Sequence, residues 1–405
     1  MSTQWVADHV ARQRAESEEL YQSLHRNPEL SMQETETVAE IRWRLEGHGY
    51  DIREIGGGVV GVLSNGDGPT VMFRADIDAL PVEESTGLPY ASTKTMADRE
   101  GNIVPVMHAC GHDVHITAGL AAARVLAEGR DHWRGTYVAL FQPAEETAEG
   151  ARSMVADGLV DKVPRPDVVL GQHVLTTPAA GHVGTRPGAM LSTGGSVRVT
   201  VHGSGSHGSM PHLGVDPVLL ASSIVVRLQG IVAREIDPFK MAVVTVGSLQ
   251  AGKKSNIIPD HAVLLINVRA YDNGVRDHLM SSIERIVRAE CSASGSPREP
   301  EFHAYDQYPL TDNDADVTTR VHAAFVEHFG ADRVAELDPV SASEDFSLLP
   351  TAFRAPYSYW GVGGFLPDQP VFPNHNPGFA PAMQPTLATG SEAAVVAALA
   401  WLGKE

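Results

Sequence analysis

Residues 136–146 read Thr136-Tyr137-Val138-Ala139-Leu140-Phe141-Gln142-Pro143-Ala144-Glu145-Glu146. The first six form a strand-type run, and the run ends at a proline followed by two adjacent carboxylates. Upstream, residues 114–128 predict a helix, and Cys110-Gly111-His112-Asp113 stands at its mouth. Further upstream, residues 59–63 and 70–73 predict strands. The first follows a turn at Gly56-Gly57-Gly58, and the second leads into Arg74-Ala75-Asp76. Downstream, residues 168–170 predict a short strand ending at Gly171-Gln172-His173. Two helices, over 5–25 and 34–48, open the chain. Strands alternating with helices indicate an α/β sheet. The polar clusters fall at the C-terminal ends of strands, where such sheets carry their sites.

Farther from this stretch the pattern changes. Over 188–303 the expected order is strand 196–202, helix 217–234, strands 243–249 and 261–268, helix 274–290 and strand 301–304. That βαββαβ order is ferredoxin-like. The α/β pattern resumes with a helix over 315–329, so the unit is an insertion. Arg186-Pro187-Gly188 and Ser294-Gly295-Ser296-Pro297 mark its limits. The expected domains are therefore 1–187 with 304–405, and 188–303. A chain of 405 residues is long enough for two cores.

Composition excludes several classes. Hydrophobic residues make up 43% and charged residues 20%, as in ordinary globular enzymes. The formal net charge of −19 does not attract nucleic acid or an anionic membrane. It also repels anionic substrates, so a substrate carboxylate needs a local cation. The first twenty residues are charged and lack the apolar core of a signal peptide. No run of about 18 apolar residues predicts a membrane span. The expected location is the cytoplasm. Two cysteines in so long a chain form no disulfide framework. Cys110 sits among polar residues and reads as a functional thiol. Cys291 follows a helical pattern and reads as packing.

Cys110 and His112 are thiol and imidazole at one helix mouth, where a thiolate is favoured. Glu145-Glu146, His173 and His375, the last in the loop Pro373-Asn374-His375-Asn376-Pro377, add further metal-type ligands. Each is weak alone, and a strand-end histidine is more often simply hydrogen-bonded. Four such features at strand ends or in loops point to a metal centre.

The segments Phe73-Arg74-Ala75-Asp76-Ile77-Asp78-Ala79-Leu80-Pro81, Met107-His108-Ala109-Cys110-Gly111-His112-Asp113 and Phe141-Gln142-Pro143-Ala144-Glu145-Glu146 resemble the M20 metallopeptidase family. Within it they resemble the amidohydrolase branch of hippurate hydrolases, aminoacylases and auxin-conjugate hydrolases. His207-Gly208-Ser209-Met210-Pro211-His212, Asn256-Ile257-Ile258-Pro259, Asn267-Val268-Arg269 and Ser343-Glu344-Asp345-Phe346 follow in the family's order. The resemblance implies a zinc-peptidase-type catalytic domain with a central mixed sheet, carrying the ferredoxin-like α+β insert as a lid and dimerisation domain. It implies two divalent metal ions per chain, zinc first, with manganese, cobalt or nickel as alternatives. Cys110 would bridge them, His112 and His173 completing one and Glu146 and His375 the other. Other members carry His-x-Asp where this chain has Asp76-Ile77-Asp78, so Asp78 is expected to orient a ligand and Asp76 either that or a salt bridge to Arg74. Glu145 would be the general base, His207 would reach the oxyanion of a partner subunit's site, and Asn256 and Arg269 would grip the substrate carboxylate. His108, His115 and His182 match no ligand position.

The implied reaction is hydrolysis of an N-acyl amino acid to a carboxylic acid and a free amino acid by a homodimer or higher homo-oligomer. A dipeptidase or N-acetyl deacetylase is the alternative within this chemistry. A Cys110 thiol hydrolase leaves Glu145, Glu146, His173 and His375 without a task. A non-catalytic binding protein leaves the whole ligand set and base unexplained. Tyr357, Tyr359, Trp360, Phe365 and Phe372 precede His375 and fit either an acyl pocket or the core.

Overall fold

A computed structural model describes residues 3–404. Residues 1, 2 and 405, the extremes of the expected first domain, lie outside it. The chain divides into two compact units, residues 1–190, 312–338 and 345–405 in one and residues 191–311 and 339–344 in the other.

The first unit is built on an eight-stranded mixed sheet. Its order is Asp51–Ile55, Gly58–Asn65, Gly135–Gln142, Thr70–Asp76, Val168–Ala179, Tyr357–Phe365, Val183–Thr185 and Val334–Glu336. Gly56 and Gly57 both take positive φ, which matches the twist of the hairpin they close. Thr70–Asp76 runs parallel to both Gly135–Gln142 and Val168–Ala179, so these three strands end on one edge of the sheet. Helices Gln4–Arg26, His112–Glu128 and Met383–Leu402 pack on one another, and Ala122, Ala393 and Ala397 are buried in the core they share. Tyr359, Trp360 and Phe365 are core residues, whereas Phe372 is exposed.

The strand after Asp167 differs from expectation. It continues to Ala179 because Tyr357–Phe365 keeps pairing with it, with Gly361 opposite His173 and Phe365 opposite Ala179. His173 therefore sits within a strand rather than at its end. Glu145 and Glu146 lie in a turn, three and four residues beyond the end of their strand at Gln142.

The second unit holds a four-stranded antiparallel sheet in the order Ala242–Ala251, His261–Ala270, Thr193–His202, Glu301–Tyr308. Helices Pro217–Glu235 and Asn273–Ala293 cover one face, meeting Ala262, Leu264, Ile266 and Val268. Each helix is capped by an aspartate, Asp216 or Asp272, that accepts its free amides. Ser294–Pro297 joins helix to strand inside this unit, so that Gly/Pro cluster marks a turn and not a boundary.

Two helices, Pro217–Glu235 and Met383–Leu402, are long and apolar enough to cross a membrane by length and composition. No sequence run announces them, because Ser, Thr, Gly and Gln interrupt the apolar residues. Both pack into cores, through Leu220, Ile224 and Leu228 in one and Leu387, Val395 and Leu402 in the other.

Candidate metal centre

The three parallel strand ends bring the polar segments together. Cys110 Sγ lies with ring nitrogens of His112 and His173 in one cluster, and with Glu146 and His375 in another. Within each cluster the ligand atoms are all within 4.8 Å of one another. The two clusters share only the thiol.

Backbone contacts fix each imidazole. His112 Nδ1–H donates to the Asp78 carbonyl at 2.9 Å, which turns Nε2 into the cluster. That nitrogen is buried and has no hydrogen-bond partner. A buried polar atom without a partner is costly, and a cation among these ligands satisfies it. His173 Nδ1–H donates to the Val174 carbonyl at 2.7 Å and turns Nε2 toward Cys110 Sγ, 3.5 Å away. His375 occupies a left-handed backbone position, φ 67°, with its N–H held by the Ala109 carbonyl at 2.7 Å. Its Nε2 stands 3.3 Å from Glu146 Oε2. Gly111, at φ 83°, turns the chain from Cys110 into the helix beginning at His112.

Charge in the cluster favours a cation. Burial opposes protonation of His112, yet the carboxylates of Asp76 and Asp78 and the Cys110 thiol outweigh it and hold the group well above its usual value. Hydrogen bonding to Cys110 and to Glu146 raises His375 to about 10. His173, buried and beside His115, is held well below the usual value and so is neutral. A thiol, carboxylates and imidazoles gathered where positive charge is favoured are the donor set that fits a divalent metal.

Asp78 organises the turn that carries the two glutamates. Its carboxylate accepts the N–H of Glu145 and of Glu146, both at 3.1 Å, and the Ser31 hydroxyl at 2.6 Å. Glu145 and Glu146 each bring a carboxylate oxygen into one group with a ring nitrogen of His112, all within 4.8 Å of one another. Glu145 is buried. Asp76 makes the salt bridge to Arg74, whose Nη1 donates to it at 2.6 Å, and its other oxygen accepts from His115 Nδ1 at 2.5 Å. His115 Nε2 accepts the Val174 N–H at 2.8 Å, so neither of its nitrogens is open to a metal. His108 is buried, and His182 bonds the Ala179 carbonyl.

Three further polar residues support the centre; the sequence motifs contain Asp345 and Asn374 without giving them a role, and nothing in them points to Glu34. Asp345 accepts from Gln142 Nε2 at 2.6 Å, Arg74 Nη2 at 3.3 Å and the Ala151 N–H at 3.1 Å, which ties the strand ends together. Glu34 accepts the Ala144 N–H at 2.8 Å. Asn374 Nδ2 lies 3.5 Å from Cys110 Sγ. All are polar residues whose partners are distant in sequence, so no local spacing signals them.

In the second unit, His207 is exposed and bonds Ser209 Oγ at 2.7 Å, and Asn256 is exposed with its carbonyl accepting the Gly208 N–H. Arg269 is aimed by Asn267 Oδ1 at 3.2 Å and Ser343 Oγ at 2.7 Å.

The model for peptidase family M20/M25/M40 matches residues 72–398. A hippurate hydrolase of Campylobacter jejuni is 37% identical over 349 residues, covering 85% of this chain and 87% of its own. An N-acetyl-L-cysteine deacetylase of Bacillus subtilis is 36% identical over 344 residues, covering 84% and 79%. The crystal structure of the Bacillus subtilis YXEP protein, described as a dinuclear metal-binding peptidase of the M20 family, superposes with a TM-score of 0.76 at 27% identity, over 95% of this chain and 98% of that one. With its motifs in order, its fold matched end to end and relatives that cleave amides, this chain is a hydrolytic enzyme belonging to peptidase family M20/M25/M40.

Proposed function

We propose that the chain hydrolyses the amide bond of small N-acyl amino acids and that it does so with two divalent metal ions. The observation that carries this reading is the pair of ligand clusters sharing Cys110 Sγ, with Glu145 next in sequence to a residue of one cluster. Cys110 with His112 and His173 would hold one ion, and Cys110 with Glu146 and His375 the other. The donor set suits Zn²⁺ first and admits Mn²⁺, Co²⁺ or Ni²⁺. Bound there, the ions supply Lewis-acid chemistry, polarising an amide carbonyl and lowering the pKa of water.

The chain's own residues do the rest. Glu145 receives the proton of the attacking water and delivers it to the departing amine. Asp78 holds the turn that carries Glu145 and Glu146 through their backbone amides. Arg269, with its guanidinium already aimed, and Asn256 are assigned to the substrate carboxylate, and His207 to the developing oxyanion. Arg269 would supply the cation that a protein of net charge −19 must offer an anionic substrate.

A homodimer through the inserted unit belongs to the same proposal. Helix Pro217–Glu235 exposes Leu219, Val226 and Val232, and Ala242–Ala251 is an edge strand with one side unpaired among the described residues. A second copy of this chain covers both features in one stroke. The proposed location is the cytoplasm, in keeping with two cysteines in 405 residues, Cys110 and Cys291, both free.

The test of the substrate class is a panel of N-acetyl, N-benzoyl and long-chain N-acyl amino acids set against unblocked dipeptides. Release of free amino acid from the acylated compounds is expected. Cleavage confined to dipeptides would overturn the acyl assignment and leave a dipeptidase.

A further inference from the structure

We propose that Glu34 is a positioning residue of the catalytic turn, holding through the Ala144 N–H the backbone conformation that aims Glu145 and Glu146. The inference rests on the general-base reading of Glu145.

Ala144 carries a side chain yet sits at φ 48°, a conformation that glycine adopts freely and alanine resists. Something must hold it there. Its N–H is bound by Glu34 Oε1 at 2.8 Å, and the next two amides are bound by the two oxygens of Asp78 at 3.1 Å each. Three successive amides of the turn are thus gripped by two carboxyl groups. On the other side, the Ala144 carbonyl accepts the N–H of Gly150 at 3.0 Å. Gly150 lies so close that an added Cβ would stand 1.5 Å from the Pro143 carbonyl oxygen, so the turn has no room to relax in that direction.

Glu34 is available because another residue does its ordinary task. It stands at the N-cap of helix Thr35–Gly47, and its side chain makes no cap hydrogen bond. Glu29 caps the helix instead, accepting the N–H of Glu36 at 3.2 Å and of Thr37 at 2.9 Å. The segment between them is docked beside Asp78: Leu30 bridges Ala79, and the Ala79 N–H donates to the Glu29 carbonyl at 2.8 Å. Ser31, on the same segment, holds Asp78 itself. Segment 29–34 therefore supports both carboxyl groups of the clamp. Burial, with the Asp78 charge beside it, pushes the Glu34 carboxyl up to about 8. Near neutrality it accepts the Ala144 N–H much as an amide oxygen would.

Four variants of the full-length, metal-loaded protein test this: Glu34→Gln, Glu34→Ala, Ala144→Gly and the double variant. Glu34→Ala is expected to lower kcat about 10–100-fold, with KM and metal content near wild type. Glu34→Gln, which keeps an acceptor, recovers most of that loss. In the Ala144→Gly background the same Glu34→Ala change costs far less, because glycine needs no clamp; this is a coupling read by the double-mutant cycle. Hydrogen exchange at the Ala144 amide quickens in Glu34→Ala and returns toward wild type in Glu34→Gln.

Wild-type kcat in Glu34→Ala, an equal loss in both backgrounds, or a loss that only tracks unfolding by circular dichroism would overturn the proposal. If the wild-type protein cleaves no amide with any metal, the general-base reading has failed on its own. The Ala144 exchange rates then decide the clamp separately.

Discussion

Glu145 and Glu146 are neighbours in sequence with different proposed tasks, and the Asp78 carboxylate holds the amides of the turn that carries both. Replacing the proton carrier without disturbing the ligands is the cleanest residue-scale check. Glu145→Gln is expected to keep the wild-type metal content and to lower kcat about 10²–10⁴-fold. Unchanged turnover would remove Glu145 from catalysis, and loss of metal would move it into the ligand set. The candidate ligands were legible because each belongs to a short motif of unusual polar types beside apolar runs. His115 matches no ligand position although it lies one helical turn from His112 and faces the same way. Both of its nitrogens are taken, by Asp76 and by the Val174 amide. Glu34 was not legible at all: an acidic residue at a helix start reads as a cap, and its partner lies 110 residues away.

Helix His112–Glu128 carries its metal-type residues in its first turn, and Gly111 sets the angle at which it begins. An alanine there would be strained at φ 83°, and its Cβ would meet Val174 Cγ1 at 2.4 Å. Val174 is also the residue whose backbone fixes both His115 and His173. Gly111→Ala is therefore expected to destabilise the fold by about 1–3 kcal/mol and to lose metal in the same step. Urea unfolding alongside metal analysis checks both; a destabilised protein with full metal content would show the turn to be structural only. Element boundaries were hidden wherever small residues replace apolar ones. Tyr357–Phe365 contains Gly361, Gly363 and Gly364 because Leu175, Leu337 and the Ala179 backbone crowd its faces, so the strand lacks a continuous apolar run. Met383–Leu402 is buried nearly all round, so it shows no amphipathic period to read.

For the whole molecule, the βαββαβ order over the insert and the alternating pattern around it were legible, and the observed sheet orders follow from them. Membership of residues 339–344 in the second unit was not, because the segment joins the insert by contact and not by adjacency in sequence. The proposed dimer belongs to this scale. Analytical ultracentrifugation is expected to give twice the mass of the chain, and Leu219→Asp with Val226→Asp to give a monomer. A wild-type monomer at micromolar concentration would contradict it. The proposed amide hydrolysis depends on two ions held around Cys110. Stripping the protein with a chelator, refilling it with Zn²⁺, Mn²⁺ or Co²⁺, and following metal content and release of amino acid together tests that dependence. Stripped protein is expected to be inactive, and activity to return as two ions per chain are bound. Full turnover by metal-free protein would contradict that dependence and point to Cys110 as a nucleophile.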